Sequence, residues 1–305
     1  GVERGWQLVL RSRDIYGPYE ERTVLAQGKT IVNGPHQGAW VDTPNGEDWF
    51  IHFQDKGPYG RVVHLQPMRW VDDWPVMGED EDGDGTGEPV LTYRKPDAGK
   101  AWPILTPPDS DEFNAPGLGL QWQWQANPQP GWAFPTGSLG FLRVFNTLPP
   151  DGVRNLSEVP NLLLQKFPAP AFTATAKVTF TPRANGDKVG LVVMGLDYAY
   201  IGVSKKPDGL HVSQSVCRDV ESGAPETEGP SVPVASNTFH LRVQVSDRAV
   251  CRFSFSGDGR EFTPVGEAFQ ARKGKWIGAK VGVFALRAGA AGESGYADLE
   301  WFRVE

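Results

Sequence analysis

Glycine and proline interrupt this chain at short intervals, 36 and 26 times in 305 residues. Between them lie short runs of aromatic and β-branched residues. In residues 33–74 those runs are Trp40-Val41, Trp49-Phe50-Ile51 and Val62-Val63, cut by turn signals at Pro44-Asn45-Gly46 and Gly57-Pro58, the pattern of a β-meander. Residues 176–180 and 241–245 alternate apolar and polar side chains, as strands of a two-sheet sandwich do. Residues 253–260 read as a strand entering a hairpin turn at Asp258-Gly259. An all-β chain is expected, with no helical domain.

A length of 305 residues exceeds what one hydrophobic core usually serves, so two units are expected. Residues 100–108, with Trp102-Pro103 and Pro107-Pro108, read as an extended linker between residues 1–99 and 109–305. A net charge of −7, with no Lys/Arg cluster interleaved with aromatics, argues against a nucleic-acid partner. No apolar run is long enough to span a bilayer as a helix. Cys217 and Cys251 are the only cysteines; the alternation around Cys251 places it on the apolar face of its strand, so a buried free thiol is a better reading than a bridge between the two.

Two short stretches invite chemistry. His36 lies between Pro35 and Gln37, flanked by Gly34 and Gly38, where small residues let the backbone approach a neighbour. Residues 80–91 begin like a calcium loop, with Asp80, Asp82 and Asp84 at alternate positions and Gly85 sixth. Position twelve is Leu91, and no helices flank the loop, so a solvated acidic connector is the better reading.

The segments GPHQGAWV (34–41), WFIHFQD (49–55) and GRVVHLQPMRW (60–70) resemble the late blades of the five-bladed propeller of glycoside hydrolase family 43. RSRDIYGPYE (11–20) resembles the piece just before them. QWQWQANP (121–128), NLLLQKF (161–167), GLDYAYIGV (195–203), WIGAKVGVF (276–284) and YADLEWFRVE (296–305) resemble the family's appended sandwich.

The resemblance implies a partial five-bladed β-propeller over residues 1–99, followed by a jelly-roll, concanavalin-like β-sandwich. It implies an inverting glycosidase that releases terminal xylosyl or arabinofuranosyl units from plant polysaccharide fragments. The matched part lacks the family's catalytic acid and base. Glu3 and Asp14 lack the expected context, so neither is assigned, and the catalytic carboxylates are expected outside this chain. A second polypeptide or a preceding segment is expected to complete the propeller.

The same resemblance places His36 in the central channel, organising water or a Ca²⁺ ion, with Gln37 beside it. It makes Arg61 the arginine that reaches the sugar, and Trp276 an aromatic wall of the sugar pocket. His52 and His64 read as ordinary strand residues. Trp122 and Trp124 share one side of a strand and are expected at the face between the units. A competing reading is a non-catalytic carbohydrate-binding sandwich, and a third is a sandwich that only supports a catalytic neighbour.

Overall fold

A computed structural model describes residues 4–289 and 292–305; Glu3 lies outside the described residues. The chain divides into two compact units, Gly1–Leu105 and Thr106–Glu305.

In the first unit β1 (Gln7–Arg11) pairs with β2 (Glu20–Leu25). A four-stranded antiparallel sheet follows in sequence order: β3 (His36–Asp42), β4 (Asp48–Asp55), β5 (Arg61–Val71) and β6 (Trp74–Met77). Such a meander is one propeller blade, and β1–β2 form part of another. The predicted turns fall where they should. Thr43 and Glu47 close the first, Gly57–Tyr59 form a 3-10 turn, and Asp72 and Asp73 (φ 51° and 61°) make the tight hairpin between β5 and β6.

The pleat gives the blade two different faces. Phe50 and Met68 on one face join Val24 and Leu25 of β2 in a buried cluster with Trp74 and Met77. The other face carries Ile51, Val63 and Leu65, all exposed. Arg11 fastens the two sheets. Its Nε and Nη2 donate to Glu20, its Nη1 donates to the Asp72 carbonyl at 3.0 Å, and its guanidinium lies 4.0 Å over the Trp74 ring.

A row of polar side chains is buried beside Phe50. Gln66 accepts the Val90 N–H and donates to His52 Nε2 at 3.1 Å, while His52 Nδ1 donates to the Phe53 carbonyl. His64 donates to Gln54, whose amide reaches Ile31 and Asn33. The two imidazoles stack with centroids 5.3 Å apart. Burial, with the His64 charge as a lesser cause, pushes His52 from 6.5 to about 4. The folded state therefore binds this proton more weakly than the unfolded chain does. The resulting stability is whole above pH 6.5 and is lost as pH falls toward 4, by at most about 1.4 kcal/mol per pH unit. Urea titrations of the first unit at pH 7 and pH 4.5 should show this loss, and His52→Gln should reduce it.

The second unit holds two eight-stranded antiparallel sheets whose strand orders are not sequential, as in a jelly roll. One sheet is built on Lys188–Met194, Tyr198–Lys206, Gly209–Cys217 and Lys280–Leu286; the other on Phe172–Thr181, Thr238–Ser246, Val250–Ser256 and Tyr296–Val304. In the second sheet the expected alternation holds, with Val178, Phe180, Leu241 and Val243 fully buried.

The first sheet is covered on both sides. Val192, Met194, Tyr198 and Tyr200 pack in a further core with Leu156, Leu162 and Val220 from loops that cross the sheet. Glu226 anchors one of those loops by accepting both the Tyr198 and Tyr200 hydroxyls, and the Lys188 ammonium donates to Tyr200 at 2.7 Å. Burial first, and then the Glu226 charge, hold both phenols far above the ordinary tyrosine range, so both remain donors.

Cys217 and Cys251 are buried free thiols. Burial pushes Cys251 up to about 12 and raises Cys217 as well, which suppresses the reactive thiolate. A thiol reagent at pH 8 should modify neither cysteine in the native chain and both in denaturant. Trp122 departs from expectation. It is buried inside the second unit, against Phe113 and Phe302, with Nε1 donating to Asp111 at 2.9 Å.

Candidate functional site

The strongest local device is the start of β3. Gly34 has φ 56° and Gln37 has φ 57°, and the register slips between His36 and Ala39. That is a β-bulge, which re-aims the side chains beside it. Only glycine fits at Gly38, because an added Cβ would stand 2.1 Å from the Ile51 carbonyl oxygen. Gly34, Gln37 and Gly38 around His36 are thus set by the backbone. His36 Nδ1 donates to the Gly34 carbonyl at 2.8 Å, leaving Nε2 as the acceptor, the arrangement that suits a histidine holding a water or a metal.

Arg61 opens β5 directly after Gly60 (φ 78°). Its guanidinium stacks 4.5 Å from the centre of the Phe53 ring. Phe53 is the β4 residue paired with His36. Three adjacent strands therefore bring His36, Phe53 and Arg61 to one end of the blade, with Gln37 in the bulge. Phe53 was not singled out in the sequence. Its signal was positional, since it shares a face with Ile51 one pleat away.

Trp276 lies in the second unit, in the loop before Lys280–Leu286, with φ 67° and 72% exposure. A left-handed conformation is costly for an aromatic residue and is retained where the surroundings enforce it. Asp14 is engaged by its own turn, where its Oδ1 accepts the Tyr16 N–H.

For a cation, His36 offers one nitrogen. Among the described residues the acidic trio Asp80, Asp82 and Asp84 is the one group of three or more potential ligands drawn together, within 4.8 Å. Asp80 there accepts the Gly83 and Gly85 N–H groups, and Asp84 accepts that of Thr86. The trio is a loop satisfied by its own backbone, and His36 is not in it. His36 fits a water-filled cage better than direct calcium ligation, because calcium prefers oxygen.

Comparison with known proteins decides what this pairing of units is. Residues 110–305 match the family model of the β-xylosidase C-terminal concanavalin A-like domain, and residues 3–75 match that of the family 43 glycosyl hydrolases. The chain belongs to glycoside hydrolase family 43. A putative beta-xylosidase of Xylanibacter ruminicola is 40% identical over 287 residues, covering 92% of this chain and 50% of that protein. A beta-xylosidase of Formosa agariphila is 34% identical over 326 residues, covering 98% and 53%. The crystal structure of a family 43 protein from Bacillus licheniformis superposes with a TM-score of 0.80 at 24% identity, covering 98% of this chain and 60% of that one. The chain spans about half the length of the curated relatives it matches. Within family 43, β1–β5 and the start of β6 fall in the part matched to the glycosyl hydrolase model and the second unit is the concanavalin-like sandwich.

Proposed function

We propose that this chain works as part of an inverting glycosidase that releases terminal xylosyl or arabinofuranosyl units from plant polysaccharide fragments. The observation that carries this reading is the gathering of the His36 bulge and Arg61 at one end of the blade, within a chain whose relatives at 40% and 34% identity are named beta-xylosidases. Arg61 suits the sugar because its planar fork can bridge a hydroxyl and a carboxylate while keeping its charge. Phe53 beneath it limits the rotamers open to that fork. Gln37 can donate to and accept from a sugar hydroxyl or a channel water, and Trp276 offers an indole face as a pocket wall.

Inversion needs a carboxylic acid to protonate the leaving oxygen and a carboxylate to activate water on the opposite face. In this reading both come from outside residues 1–305, on blades that also cover Ile51, Val63 and Leu65. Those blades belong to a preceding stretch of a longer polypeptide or to a second one. A calcium ion in the completed channel would meet His36 only through water.

The test is the anomer first released from an aryl β-xyloside or aryl α-arabinofuranoside by the completed enzyme, followed by NMR. Release of the opposite anomer supports the reading. Release with retention, or no hydrolysis of either glycoside, overturns it.

A further inference from the structure

Outside the blade, the second unit carries a cleft of about 550 Å³ bounded by residues 106–109, 120, 121, 123 and 165–168. That volume lies within the range of small-ligand sites, roughly 300–1,000 Å³. Three carboxamides line it: Gln121, Gln123 and Gln165. Gln165 is 3% exposed, and its Nε2 is fixed by the Asp109 carbonyl at 2.8 Å. Gln121 Oε1 is buried and has no hydrogen-bond partner. The other walls are apolar, with Phe167 buried at the base and Leu120 fully exposed at the rim.

We infer that this cleft binds an uncharged sugar unit of the polysaccharide chain, apart from the residues gathered on the blade. The inference rests on reading the chain as a saccharide-handling enzyme, and it assigns a second place where the polymer is held. A carboxamide both donates and accepts, which is what a row of sugar hydroxyls requires. The one cation and one anion in the lining, Lys166 and Asp109, leave the cleft without net charge, so nothing there selects an ionic ligand. Leu120 and the neighbouring prolines Pro107 and Pro168 supply surfaces for the C–H face of a pyranose. Gln165 is held before any ligand arrives, so little ordering is needed on binding.

The probe is xylotetraose, titrated calorimetrically into the 305-residue chain. The chain should bind it, and the double variant Gln121→Ala, Gln123→Ala should bind at least about tenfold more weakly, equivalent to about 1.4 kcal/mol. Leu120→Asp gives an independent check, because a fully exposed turn residue can change without disturbing the fold; it should weaken binding to a similar degree. Absence of binding by the parent chain, or unchanged affinity in Leu120→Asp, overturns the cleft. Hydrolysis is read separately. Binding through the cleft without glycosidase activity in the completed enzyme would uphold the cleft and overturn only the functional reading above.

Discussion

Replacing Arg61 with alanine in the completed enzyme is expected to lower kcat for an aryl xyloside by on the order of 10²-fold, the usual cost of removing one charged donor aimed at the reacting region. The melting temperature should move by less than about 3 °C, since a half-exposed cation–aromatic contact such as Arg61 over Phe53 contributes only about 1 kcal/mol. Arg61→Lys keeps the charge and loses the fork, so it should recover only part of the rate. Phe53→Leu should act in the same direction and more weakly, through a less ordered guanidinium. An unchanged kcat in Arg61→Ala would remove this residue from the site.

The largest expected loss of stability is in the sandwich, at Glu226. Its carboxylate accepts the hydroxyls of Tyr198 and Tyr200, and Tyr198 also accepts the Leu156 N–H at 3.0 Å. Glu226 therefore ties its own loop to the sheet, and Tyr198 ties the Leu156 loop. Glu226→Ala leaves both buried phenols without their acceptor and should cost about 2–4 kcal/mol. The sandwich transition would fall by roughly 5–12 °C, measured by calorimetry. Glu226→Gln, which keeps one acceptor oxygen, should lie between. A melting curve unaltered by Glu226→Ala would mean the loops seat on the sheet by apolar packing alone.

Much of the fold was legible because strand signals are local. The turns at residues 44–46 and 57–58, and the alternating strands of the second sheet, follow from backbone preference and one-sided burial. The first sheet was harder to read. Residues 188–194 show no alternation, because loops bury the face that a two-layer sandwich would leave wet, and a loop closing over a sheet has no periodic signature. Trp122 misled for a related reason. The strand there is only Gln123–Trp124, so Trp122 stands just outside it, and one of its ring partners, Phe302, comes from the far end of the chain.

At the site, the glycines around His36 announced a special backbone, and the structure supplies the reason, a bulge with no room for a Cβ at residue 38. The Phe53 platform under Arg61 depends on cross-strand register, which turn and composition signals do not give. Trp276 was visible as a residue, but its left-handed conformation and position before the strand were not.

Hydrolysis of an aryl β-xyloside should be measured with the 305-residue chain alone and after the remaining propeller blades are supplied as a separate polypeptide. The account predicts no turnover by the chain alone, and turnover on addition that disappears with Arg61→Ala. Enzyme-like turnover by the chain alone would place the catalytic acid and base within it and contradict the account.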